Sequence, residues 1–376
     1  MNLTQRASML KTLFTHEKSV VLEDAPVEIR SYPFVQALGE REIDDLQAGM
    51  PAGEFCPTPD NGIEENKRFP YAVFLHGKAG GARGAIILLH GLNERSWDKY
   101  LPWAERLATT TGKAVILFPL AFHMNRTPAR WRDPRALLPW VSRRGSEAGN
   151  ATFANVAIST RLAASPLRFY ASGRESVLNL WQLVAEIRGG RHPLFKEGAT
   201  VDLFAYSIGA LLAQVLLLAD PGGLTGDTRL FMFCGGALFS YMDGSARDIV
   251  DQAAYARVRE FYLDDFPRAF RLDEDPIVKA FKAMIVPGGA GGYREAAFER
   301  AGQRLRAVTL RRDSVIPTRG VARALGERLA ASALEEWDFP FPYSHQHPFP
   351  AAPGVEPGLL QRSFDALFDR AAGFLG

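Results

Sequence analysis

Two cysteines, Cys56 and Cys234, are all that 376 residues provide. So few exclude a disulfide framework, and their spacing makes no zinc site. Cys234 sits in the apolar run 229–236 and reads as a small buried hydrophobe. Charge of one sign is also lacking: 44 Lys and Arg face 42 Asp and Glu, for a formal net charge of +2. No net field draws in nucleic acid or an anionic membrane. The longest apolar runs, such as 86–89 and 211–219, fall far short of the roughly 20 residues that span a bilayer. The first residues, Met1-Asn-Leu-Thr-Gln-Arg, lack the apolar stretch of a signal peptide. A cytoplasmic protein is the expectation. Internal repeats and low-complexity tracts are missing too.

The hydrophobic share of 47% and charged share of 23% are those of an ordinary globular chain. Residues 1 to about 70 read as a mixed N-terminal extension packed on the core. Strands are expected at 20–30 and 34–40, and a Pro-, Gly- and Asn-rich loop at 48–68. From 71 onward the pattern becomes rhythmic. Ala85 to His90 (AIILLH) and Ala114 to Phe118 (AVILF) are nearly pure apolar runs, which suit strands buried on both faces. Between them, 97–111 carries its apolar residues at helical spacing, with Gly112 as the cap. The alternation resumes with a helix at 174–188, a strand at 201–206 and a helix at 208–219. Strands at 229–233, 305–310 and 334–339 follow, with helices at 319–331 and 359–374. Such alternation implies parallel β-α-β units. Two stretches break it, 120–172 and 240–303, and read as functional insertions.

Residues 201–210 read VDLFAYSIGA. A buried strand runs straight into Ser207 and a helix follows at once. That junction places a serine at the C-terminal edge of the sheet, where α/β folds carry their sites. The turn is sharp, so small neighbours are needed. Gly209 is one. Ala205 stands where the usual pattern has glycine. Taken alone, Ser207 reads equally well as a helix cap or as a nucleophile. A second strand ends in His90-Gly91. Backbone N–H groups of Leu92 and Ile208 are the candidate donors for an oxyanion, Gly91 giving the loop its conformational freedom.

A serine nucleophile needs a base, and the base an orienting acid. Asp313 opens the loop after the strand 305–310, with Asp243 as its rival. His345 follows the last strand, with His347 as its rival; spacing alone does not choose between the two histidines. The His-x-His pair lacks the further ligands a metal would need, so neither a metal nor an organic cofactor is expected.

With these pieces in order, the chain resembles the α/β-hydrolase superfamily. The resemblance rests on His90-Gly91, the Ala205-Tyr-Ser-Ile-Gly elbow, Asp313 with Val315-Ile316-Pro317, and Ser344-His345. The segments Phe122-His-Met-Asn-Arg and Tyr343-Ser-His-Gln-His-Pro-Phe are similar to an uncharacterised, mainly bacterial branch of it. The resemblance implies an α/β-hydrolase domain over 71–376. Its sheet would be mostly parallel and eight-stranded, flanked by helices, with helical cap insertions at about 120–172 and 240–303. It also implies a Ser207–His345–Asp313 triad cleaving a carboxylic ester, thioester or amide of a small acyl substrate.

His123, Arg126 and Trp131 crowd just past the strand end at 118–120. They are candidate substrate contacts, with Arg126 as a seat for substrate charge; the plainer reading of Arg126 is a structural ion pair. The glycine-rich 287–293 lacks the Lys-Ser/Thr of a phosphate loop and reads as a turn or hinge. The competing function is a small-molecule binding protein on a catalytically silent hydrolase scaffold.

Overall fold

The structure is a computed structural model describing residues 1–77, 81–269 and 275–376. Its strands are β1 (Val20–Val21), β2 (Val27–Val35), β3 (Arg68–His76), β4 (Ala82–Leu89), β5 (Ala114–Leu117), β6 (Phe195–Tyr206), β7 (Leu230–Phe233), β8 (Leu305–Leu310) and β9 (Leu334–Trp337). They form one sheet in the order β1-β2-β3-β5-β4-β6-β7-β8-β9. Nine strands stand where eight were expected. The difference lies at the N-terminal edge, where β1, β2 and β3 pair antiparallel. From β5 to β9 every pairing is parallel.

The apolar runs are explained by what covers them. Ile86 and Leu88 of β4, with Phe204 and Tyr206 of β6, pack on one side of the sheet among residues of the helices Leu3–Leu13, Leu101–Thr111 and Pro357–Leu375. Ile87 and Leu89, with Leu203 and Ala205, face the other side, under Leu167–Arg188 and Ile208–Ala219. Alternate residues of one strand therefore enter two different cores, and the segments 86–89 and 203–206 are apolar throughout.

The parallel strands end level with one another. Leu89 lies opposite Ala205, Tyr206 opposite Phe233, and Phe233 opposite Val308. The loops after β4, β6, β7, β8 and β9 thus share one edge. The strand order reverses at β4, which has β5 on one side and β6 on the other. A crevice forms at such a reversal because the adjoining connections leave on opposite faces.

The helix expected at 174–188 begins seven residues earlier, at Leu167. Gly173 lies inside it because a Cβ there would stand 2.4 Å from the Phe281 ring. The helix expected at 319–331 is two, Thr318–Leu325 and Glu327–Ala333, broken at Gly326 with φ 81° and ψ 154°. The two insertions are largely helical and touch one another. Arg144 of the first donates two hydrogen bonds to Asp251 of the second, at 2.5 and 2.8 Å. Among the described residues no helix is long and apolar enough to cross a membrane.

Candidate active site

Ser207 sits between β6 and the helix Ile208–Ala219 with φ 56° and ψ −123°. A non-glycine residue held at such a φ is strained and needs its surroundings to hold it. Those surroundings are small by necessity. A Cβ on Gly209 would stand 2.8 Å from the His90 carbonyl oxygen, and one on Gly235 would stand 2.8 Å from the Ser207 nitrogen. Ala205, fully buried between Leu89 and Met232, fits its methyl into the core. The side chain of Ser207 caps nothing.

Instead Ser207 Oγ lies 2.7 Å from His345 Nε2, and His345 Nδ1 lies 2.7 Å from Asp313 Oδ2. An ionised carboxylate only accepts, so Nδ1 carries the ring proton and donates it to Asp313. Nε2 is then the acceptor, and the serine hydroxyl donates to it. All three residues are about 95% buried. Asp313 is fixed by its other oxygen, which accepts from the N–H groups of Val315 and Ile316, each at 2.9 Å. That is the physical use of the Val-Ile-Pro segment after the strand. His345 is fixed by Tyr206, whose hydroxyl donates to the His345 carbonyl and whose ring stacks on the imidazole at 5.4 Å. Lys99 holds the same loop through the Gln346 carbonyl at 3.1 Å. Sequence reading gave no part to Tyr206 or Lys99, because neither belongs to a spacing pattern; only their positions beside Ser207 and in the 90–100 loop drew near the site.

The rivals lie elsewhere. Asp243 uses its carboxylate to accept from the Ser245 N–H at 3.0 Å. His347 lines a cavity of about 500 Å³ bounded also by Lys99 and Leu92, while its N–H closes a turn onto Ser344.

The His90-Gly91 loop packs directly on the elbow. A Cβ on Gly91 would stand 3.3 Å from the Tyr206 ring and 3.4 Å from Ser207 Cβ. Close approach, not an unusual φ, is what Gly91 serves; the left-handed residue of this loop is Asn93, with φ 62°. Asn93 ties the loop to both insertions, donating to the carbonyls of Ala154 at 2.8 Å and Asp248 at 2.9 Å. The Gly91 N–H donates to the Tyr100 hydroxyl, which donates in turn to Glu94. His90 is wholly buried, and desolvation lowers its pKa to about 3. It is therefore neutral, donating from Nδ1 to the Gly91 carbonyl and accepting at Nε2 from the Leu120 N–H. The N–H groups of Leu92 and Ile208 find no hydrogen-bond acceptor among the described residues, and both residues line one small cavity.

Arg126 lines neither cavity that Leu92 and His123 share, and its contacts favour the plainer of its two readings, a structural ion pair. It is completely buried, pairs with Glu175 at 2.9 Å, and donates to Asn66, Asn179 and the Pro119 carbonyl. Burial lowers its pKa to about 10, against the opposing pull of Glu175. Cutting one partner of such a pair leaves a bare buried charge, so Arg126→Met is expected to cost about 3–5 kcal/mol. Urea unfolding measures this; a loss below 1 kcal/mol would contradict the structural role. His123 and Trp131 do line a cavity, of about 50 Å³, together with Leu92. Among the described residues no group of three or more His, Cys, Asp or Glu is placed to hold a metal ion.

No curated protein matches the chain. Among solved structures, a thermostable esterase from Pseudomonas putida is similar at 12% identity, covering 100% of this chain and 91% of that one, with a TM-score of 0.43. Carboxyl esterase 2 of the fungus Tuber melanosporum is similar at 9% identity over 99% and 98%, with a TM-score of 0.42. A Pyrococcus furiosus esterase is similar at 14% over 81% and 85%, with a TM-score of 0.39. One family matches from the first residue to the last, residues 1–376, and the chain belongs to it: DUF6051, a family of unknown function.

Proposed function

We propose that the protein is a serine hydrolase of the α/β-hydrolase type, cleaving a carboxylic ester, or the related thioester or amide, of a small acyl substrate. The observation that carries the reading is the continuous hydrogen-bond chain from Ser207 through His345 to Asp313, at 2.7 Å and 2.7 Å. It hangs on a serine whose backbone is strained at φ 56°.

In this reading Ser207 Oγ attacks the acyl carbon while His345 Nε2 takes its proton. The carbonyl oxygen gains the negative charge, and the N–H groups of Leu92 and Ile208 receive it. Ile208 opens a helix, whose N-terminal dipole favours an anion, and one such donor is worth roughly 3–4 kcal/mol in the transition state. The protonated His345, balanced by Asp313, then gives its proton to the leaving group, whose bond to the acyl carbon breaks. Water repeats the sequence on the acyl-serine, losing its proton to His345, and frees the acid and the serine hydroxyl.

Turnover of a panel of chromogenic short- and medium-chain acyl esters tests the proposal. Hydrolysis with a chain-length optimum is the expected outcome. A protein that binds such esters but turns none of them over would favour the silent scaffold.

A further inference from the structure

Beside the serine, the 50 Å³ cavity is polar in a particular way. It neighbours the small cavity that Ile208 bounds, with Leu92, Ala121, His123, Phe169 and Ser172 forming walls of both. Trp131 is 4% exposed and Arg161 7%, yet Trp131 Nε1 and Arg161 Nε find no hydrogen-bond partner among the described residues. Trp97 Nε1, Trp181 Nε1 and the Nε of Arg106, Arg188 and Arg294 are also without a partner among the described residues, but Trp131 and Arg161 line one cavity together, where a bound acceptor would remove the cost of leaving them unpaired. The Arg161 guanidinium lies over the rings of both Phe122 and Trp131, at 4.5 and 4.4 Å.

The charge balance of the walls has the same sign. Arg161 and Arg168 share one carboxylate, that of Asp60, at 3.0 and 2.9 Å. Among the described residues Arg95 donates only to backbone carbonyls, those of Phe153 and Trp131. Burial and the neighbouring Arg132 lower the pKa of Arg95, as for a cation that lacks its counter-charge. Glu94, the acidic residue on the wall, is taken by Lys99 and by Tyr100.

We infer that this cavity seats a carboxylate of the substrate, held by the N–H groups of Trp131 and Arg161 and by the charge of Arg95, so that the preferred ester is an anionic one. His123 adds a lone pair: its Nδ1 donates to the Ala121 carbonyl at 2.8 Å and its Nε2 has no partner among the described residues. A hydroxyl or N–H of the same substrate meets it there. The inference rests on the hydrolase reading for its position, and on the unpaired donors for its chemistry.

The test compares 4-nitrophenyl hydrogen glutarate with its methyl ester, and 5-butyryloxy-2-nitrobenzoate with 4-nitrophenyl butyrate. The first pair places the carboxylate on the acyl side and the second on the leaving group. One pair is expected to show a preference of about tenfold or more in kcat/KM for the charged ester, the size of a charge-assisted hydrogen bond. Trp131→Phe keeps the ring and removes its N–H; Arg95→Gln removes the charge. Each is expected to lower the charged-to-neutral ratio several-fold. Equal rates within both pairs, or variants that leave the ratio unchanged, would overturn the inference while leaving the hydrolase reading intact. If no ester is cleaved, the hydrolase reading fails instead, and binding still decides the cavity. Glutarate is expected to raise the melting temperature of Ser207→Ala but not of the same protein carrying Trp131→Phe and Arg95→Gln. No rise in either would overturn the inference.

Discussion

Replacing Ser207 with alanine is expected to lower kcat toward any ester substrate by about 10⁴- to 10⁶-fold, because nucleophile and base act as one unit. The fold should survive the change. The hydroxyl removed is a single buried group, and its loss leaves His345 Nε2 without a donor, a cost of about 1 kcal/mol. The strain at φ 56° is unaltered, since alanine carries the same Cβ. Steady-state kinetics beside a thermal melt separate the two effects. A variant that keeps more than a hundredth of the activity would remove Ser207 from the reaction.

The second large effect is expected at Asp313. In Asp313→Asn the carboxamide oxygen is held where two backbone N–H groups need an acceptor, at Val315 and Ile316. Its NH₂ then turns toward His345 Nδ1, which must accept rather than donate. The ring proton moves to Nε2, and Nε2 can no longer take the proton of Ser207. kcat is expected to fall by about 10⁴-fold with KM changed far less. Cys234 supports the same carboxylate: desolvation and Asp313 together raise the pKa of its thiol, so it remains a neutral donor. A loss below tenfold would mean that Asp313 only supports the loop.

Much of this site was legible because buried strands leave no choice of residue. The strand Leu305–Leu310 and the helix Ile208–Ala219 have the bounds expected of them, each set by an apolar run with an abrupt polar or glycine end. Where a run is interrupted for a local reason, legibility falls. Strand β2 reads as two pieces because of Pro33, but β1 reaches only Ile29, so Pro33 has no neighbour on that side to miss its N–H. The helix Pro134–Ala148 is obscured by the internal Pro139. The helix Leu3–Leu13 buries only Leu3 and Leu10 and so shows little periodicity, although its capping box, Asn2 with Gln5, was there to be read.

Arg126 shows the other limit. Sequence places it just past the apolar run 114–118, yet cannot tell a guanidinium facing a cavity from one facing Glu175, since that partner lies 49 residues away. The choice between His345 and His347 is of the same kind. Two residues apart on a loop, they part in burial and partners: the His345 ring is buried between Ser207 and Asp313 against the Tyr206 ring, and His347 is exposed.

Labelling with a fluorophosphonate, read by intact mass and peptide mapping, addresses the central claim most directly, because the reagent captures an activated serine without requiring the natural substrate. One adduct per chain, on Ser207 and lost in Asp313→Asn, is the result predicted. An unlabelled protein, or an adduct on another residue, would contradict it.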